Sequence, residues 1–315
     1  MDYEFAVEPE AIASSWENFR FVMSLFGYSE GRLISQFPNK WFREVYQRAS
    51  ELSEVELSRI EVGLRSAKDE YKVMKFSRPY NSDKNWVDNV IFEHQRNPFG
   101  GVIISNKVES TTSGVFSIEE LEKNKISVAN QISANVDSIV GALHSLLRFG
   151  DQIEFVDPYL RIDRGKEDSS SRLLIKRCLE TIKEFGRCSK IVIHYKDQKR
   201  MPTIRHIKYR MTGISDFVPD GTQLELYRWE EKADCPIEFH GRHLLTDKGG
   251  IFFDGGFGRN EDNRKYTLTR WSSGESLERM SAFLRNELNQ GHKLVEKGLR
   301  IYHAKEPELI DRLVS

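Results

Sequence analysis

The chain has 315 residues, 39% of them hydrophobic and 30% charged, which is long for one domain and gives each half enough apolar side chains to bury a core. Forty-seven Lys and Arg against 48 Asp and Glu leave a formal charge of −1. That balance excludes a global field drawing the molecule to nucleic acid or acidic membrane, so any anion-binding surface must be local.

Three cysteines, Cys178, Cys188 and Cys235, are odd in number and lack paired spacing, which argues against a disulfide framework or a zinc knuckle and fits a reducing cytoplasm. The first residues, Met1-Asp2-Tyr3-Glu4-Phe5, carry no basic leader, and no run approaches the roughly 20 apolar residues of a membrane span. The expectation is a soluble cytoplasmic protein with no membrane-spanning segment.

The first third predicts a mostly helical domain. Residues 16–26 are rich in aromatics and form one candidate helix. Ser53-Glu54-Val55-Glu56 is a capping box, followed by Leu57, Ile60, Leu64, Ala67 and Tyr71 at helical steps. Turn residues follow at 78–83, and Gly101-Val102-Ile103-Ile104-Ser105 predicts a short buried strand. Trp86, His94, Pro98 and Phe99 are read as packing residues. Residues 106–114 carry Ser and Thr without apolar period and mark the expected boundary, which divides a domain of residues 1–115 from one of residues 116–315.

The second half begins with a further capping box, Ser117-Ile118-Glu119-Glu120, and a long helical stretch with Ile132, Val136, Ile139, Leu143 and Leu146 on one face and Gly150 as its stop. Strands at 153–157 and 190–194 flank a helix at 174–185 whose inward stripe is Ile175, Cys178, Leu179 and Ile182. A helix at 203–212, a strand at 224–227, a strand pair at 243–247 and 251–254, and a late helix marked by Leu277, Met280, Phe283, Leu284 and Leu288 complete the pattern. Alternating strands and helices predict a layered α/β domain whose last strands are antiparallel.

Chemistry concentrates at His240-Gly241-Arg242-His243-Leu244-Leu245-Thr246-Asp247, an H-x-R-x4-D pattern followed by a glycine-rich turn. Residues two apart on a strand share a face, so His240 and Arg242 are expected to project together, with His243 on the other side. A neutral imidazole can act as base or nucleophile, a guanidinium clamps two phosphate oxygens, and Asp247 is expected to return and orient the imidazole. Asp157 and Tyr159 lie at a strand end, as does His194, and each is a candidate ligand contact. Lys199 and Arg200, with Arg205, His206, Lys208, Tyr209 and Arg210, form a local basic run able to track a nucleic-acid backbone.

This block resembles the H-x-K-x4-D signature of the phospholipase D superfamily, and residues 153–159 resemble the opening strand of such domains. The resemblance covers roughly residues 120–305. It implies a phospholipase-D-like α/β/α layered C-terminal domain, with His240 as a nucleophile forming a phosphohistidine and Asp247 as the motif carboxylate. Arg242 stands where the family has Lys, and Gly255-Gly256-Phe257-Gly258, with Asn260 nearby, stands where it has Ser and Asn. A single motif implies a homodimer pairing two His240 residues.

The resulting expectation is a metal-independent phosphodiesterase without cofactors. A nuclease fits best, and an anti-phage effector is one setting. Asp157, Tyr159, His194, Arg205, Lys208, Arg210 and Asn260 would hold the substrate. The H-x-R form also resembles the phospholipase-D-like C-terminal domain of microtubule-interacting-and-trafficking proteins, which implies a module that binds phosphates or protein partners without hydrolysis. In either case the N-terminal domain is available for protein partners.

Overall fold

The computed structural model describes residues 3–105, 113–123, 128–160, 170–198, 202–230, 239–257, 261–281, 283, 293–294 and 298–310. Cys235, Asn260, Leu284 and Leu288 lie outside the described residues, as do Lys199 and Arg200. Two compact units emerge, residues 2–128 and residues 129–315.

The first unit runs β1 (Tyr3–Val7), α1 (Pro9–Ala13), α2 (Trp16–Ser24), β2 (Arg32–Ser35), α3 (Trp41–Ala49), α4 (Glu54–Asp69), β3 (Val73–Met74), α5 (Trp86–Arg96), β4 (Gly101–Ile104), β5 (Val115–Ser117) and α6 (Ile118–Lys123). The strands form a parallel sheet in the order β3-β2-β1-β4-β5. The expectation of a mostly helical domain is therefore corrected. Phe5, Val7, Ile34 and Ile103 pack beneath α1 to α4 and α6, while Ala6, Val102 and Ile104 pack with Phe37, Phe99 and Val90 of α5. Strands of two to five residues, covered on both faces, leave no alternating pattern to read. The expected boundary also moves, because β5 completes this sheet and α6 packs on it, so the first unit extends to Val128. Ser117 and Glu120 do close a capping box, with reciprocal bonds of 3.0 and 3.3 Å.

The turn at 78–83 begins with a buried cation. Arg78 bonds both oxygens of Glu4 at 2.8 Å, reaches Glu93 at 3.2 Å and lies 3.9 Å from the centre of the Phe99 ring. The Arg78 and Glu93 side chains are only 7% and 2% exposed.

The second unit runs β6 (Gln131–Ala134), α7 (Val136–Phe149), β7 (Gln152–Val156), α8 (Ser170–Phe185), β8 (Lys190–Lys196), α9 (Ile204–Met211), β9 (Gln223–Glu230), β10 (Arg242–Thr246), β11 (Gly250–Phe253), β12 (Glu261–Trp271), α10 (Ser273–Ser281), β13 (Lys293–Leu294), β14 (Gly298–Ile301) and β15 (Glu308–Ile310). Its sheet has the order β15-β14-β9-β8-β7-β10-β11-β12-β6, and β13 pairs with β9. β7, β8 and β9 are parallel; the other pairings are antiparallel. The chain is thus a mixed α/β protein. Ile132 belongs to β6 rather than to a long helix, and α7 starts after Asn135, whose side chain accepts the Ser138 amide at 2.8 Å. The α8 stripe is buried as its periodicity predicts, whereas Leu277 on α10 is 50% exposed.

Burial pushes the Cys178 thiol up and the Cys188 thiol up to about 12, so both are inert packing groups. No helix among the described residues is long and apolar enough to cross a membrane.

Candidate functional site

At the carboxyl end of β7 lies a cavity of about 540 Å³. Asp157 and Tyr159 reach it from the end of β7, Ser171 from the first turn of α8, Arg242 from the start of β10, Asp254, Gly255 and Gly256 from the turn after β11, and Arg264, Lys265 and Tyr266 from β12. Sheet pairing explains the convergence. β10 runs antiparallel to both β7 and β11, so its first residue lies beside their last ones. β12 adds its two cations through a register break: it advances from Glu261 to Lys265 while β6 advances only from Ala134 to Ser133. Residues 262–264 thus bulge from the ladder, a device that re-aims side chains.

Asp157 is the fixed point of the cavity. Its carboxylate accepts the Tyr159 amide at 2.9 Å and the Phe257 amide at 3.0 Å, and it lies 4.0 Å from Nε of Arg242. Burial pushes its carboxyl up, opposed by those two amides and by Arg242. The guanidinium lies 4.9 Å from the centre of the Tyr159 ring. Nε of Arg242 is buried with no hydrogen-bond partner among the described residues, while the side chain as a whole lines the cavity and is 25% exposed. Three cations face two carboxylates, and the amide end of the 16-residue helix α8, with no acid in its first turn, adds positive potential.

Gly255 is required by close approach. A Cβ there would lie 1.9 Å from the Tyr266 ring, and Tyr266 donates its hydroxyl to the Gly256 carbonyl at 2.9 Å. Gly255→Ala is expected to displace Tyr266 and cost about 1–3 kcal/mol. A fall in Tm together with weaker phosphate titration would register it.

The sequence-predicted site residues part company here. Arg242, Asp157 and Tyr159 meet in the cavity. His240 precedes β10, is exposed and is absent from the lining. Asp247 does not orient it. Its carboxylate accepts the Asp151 amide at 2.9 Å and the Gln152 amide at 3.3 Å and pairs with Lys248 at 2.6 Å, at the far end of β10. At about 3.3 Å per strand residue, that is about 17 Å from Arg242. His194 is not a pocket residue either. Fully buried, it faces Glu154 at 3.1 Å and accepts the Trp229 indole N–H at 2.9 Å, and its ring centre lies 4.3 Å from that of Phe283. Arg205, Lys208 and Arg210 lie on α9, outside the cavity. Arg264 and Lys265 were missed because the polar start of β12 gives no strand signal, and Ser171 because a helix start has no chemical signature of its own.

His243 occupies the face opposite Arg242, its ring between Phe252 and Trp271 at 5.3 and 4.8 Å. Burial, then Arg279 and Arg242, push its imidazole down to about 3. A lowered histidine pKa means the unfolded chain protonates first, so stability present above about pH 6.5 is lost as pH falls toward 3. Between pH 7 and pH 5 the expected loss is about 2 kcal/mol. Urea unfolding of His243→Leu should show that slope removed; an unchanged slope refutes the assignment.

The first unit has a second cleft, about 340 Å³, at the carboxyl end of β1, where strand order reverses between β1 and β4. Glu8, Glu10, Glu44 and Glu51 line it with Arg48, Gln47 and Trp86, an acidic surround that repels phosphate. Among the described residues, no group of three or more His, Cys, Asp or Glu is placed to hold a metal ion.

No protein-family model matches the chain, and no curated protein matches it. Among solved structures, it is similar to TrmBL2, described as an archaeal chromatin protein that shows a novel mode of DNA binding. The two share 15% identity over 79% of this chain and 88% of that one, with a TM-score of 0.27. A superposition of that quality carries no argument about fold or ligand.

Proposed function

We propose that residues 129–315 form a phospholipase-D-like domain that binds a phosphate-bearing ligand in the Arg242 cavity without hydrolysing it. The carrying observation is the Arg242 guanidinium lining the cavity, held beside the buried Asp157 and accompanied by Arg264 and Lys265. Three cations on two strands and a helix amide end suit a tetrahedral dianion or a diester. The strand pair β10–β11, with H-x-R at its head and glycines behind it, supports the family reading. The position of Asp247 removes the acid that would orient a nucleophilic imidazole.

Calorimetric titration with inorganic phosphate and with a simple phosphodiester tests this. Saturable binding retained in His240→Ala, with no turnover in EDTA, is the expected result, and no binding of either at low salt refutes it. A second reading, a homodimeric phosphodiesterase, is favoured by one observation: His240 is exposed two residues before Arg242, accessible to the imidazole of a second copy. It requires cleavage in EDTA that disappears in His240→Ala, together with a dimer by sedimentation.

A further inference from the structure

The basic run that the cavity does not absorb folds as α9. Between Pro202 and Met211 the sequence holds Arg205, His206, Lys208 and Arg210 and no acid. Ile207 and Met211 are buried, so the helix is anchored through one side. Arg205 and His206 are exposed on the other, and Tyr209, one turn beyond Arg205, is 77% exposed. Among the described residues, the Lys208 ammonium has one ion contact, with Glu306 at 3.7 Å, which is itself 86% exposed.

The carboxyl end of α9 and the end of β8 are each bonded to a neighbour of a pocket residue. At the end of β8, the Lys196 amide and the Gln198 side chain both donate to the Pro158 carbonyl, at 3.3 and 2.9 Å. Pro158 lies between the pocket residues Asp157 and Tyr159. At the carboxyl end of α9, Arg172 donates to the Arg210 carbonyl at 2.5 Å, and Arg172 directly follows the pocket residue Ser171. The cations and aromatic ring of α9, a helix about 12 Å long that packs on β14 and β15, thus lie on the α8 side of the cavity, linked to it through Arg172.

We infer that the ligand is a single-stranded nucleic acid, with one phosphate in the Arg242 cavity, further phosphates along the strand on Arg205 and Lys208, and an unpaired base stacked on Tyr209. This rests on the phosphate-binding reading and extends it. A linear series of cations matches a polyanion, and an exposed phenol offers a platform that any unpaired base can use and a paired base cannot. A global charge of −1 makes the patch the source of attraction.

The test uses the full chain and fluorescence anisotropy with a single-stranded oligonucleotide of about twelve nucleotides, a dinucleotide, the matching duplex, and phosphatidylserine vesicles. Arg205→Glu with Lys208→Glu should weaken the long strand at least about tenfold and reduce its logarithmic salt slope by about 1.4, while leaving the dinucleotide unchanged. Tyr209→Ala should weaken the strand about fivefold or more and leave the duplex unaffected. These exposed substitutions leave the core intact, which circular dichroism checks. If Arg242→Ala abolishes dinucleotide binding but the α9 variants bind the long strand like wild type, this inference fails and the phosphate reading stands. If neither nucleic acid binds at low salt, this inference fails, and the phosphate reading fails with it where inorganic phosphate does not bind either. Vesicle binding that is lost in the α9 variants, without oligonucleotide binding, would replace the strand by a lipid surface.

Discussion

Replacing Arg242 by Ala is expected to weaken phosphodiester binding roughly 10- to 150-fold. One charge-assisted hydrogen bond, worth about 1.5–3 kcal/mol, is lost from a guanidinium whose side chain is 25% exposed. Asp157 is left buried at the same time, with its carboxyl already pushed up and one opposing charge gone, so its protonation becomes easier still. Arg242→Lys should recover only part of the affinity, since an ammonium lacks the planar fork. Asp157→Asn separates positioning from charge: it keeps an acceptor for the Tyr159 or Phe257 amide but removes the ion pair. Calorimetry on all three variants, with Tm as a folding control, measures the difference. Arg242→Ala binding within about threefold of wild type would end the assignment of this residue as the clamp.

The largest expected loss of stability lies in the other unit. Arg78→Leu should destabilise residues 2–128 by about 3–5 kcal/mol, because it strands the carboxylate of Glu4 and leaves the buried Glu93 with Arg96 alone. Adding Glu4→Gln and Glu93→Gln should restore part of that loss, since the cost comes from uncompensated charge more than from the missing bonds. Urea unfolding followed by tryptophan fluorescence resolves the unit, which contains Trp16, Trp41 and Trp86. A change under about 1 kcal/mol would show that water reaches the cluster.

The second unit was more legible than the first. α8 and the β10–β11 hairpin were readable from periodicity, since each buries one defined stripe. β1, β2, β3 and β5 were not, because short strands covered on both faces resemble fragments of buried helix. At the site, the H-x-R-x4-D spacing located Arg242 but misassigned Asp247. The spacing describes the positions along β10, whereas the carboxylate's partners are Lys248 and the amides at the start of β7. Arg78 illustrates the same limit: a cation in a turn reads as solvated until tertiary structure brings Glu4 and Glu93 to it.

The register break in β12 separates two demands that usually conflict. Because residues 262–264 stand outside the ladder, their number and charge can change without disturbing the pairs that hold the sheet. Insertions or charge reversals at that spot give a route by which descendants of this chain can acquire different ligand preferences at small cost to folding.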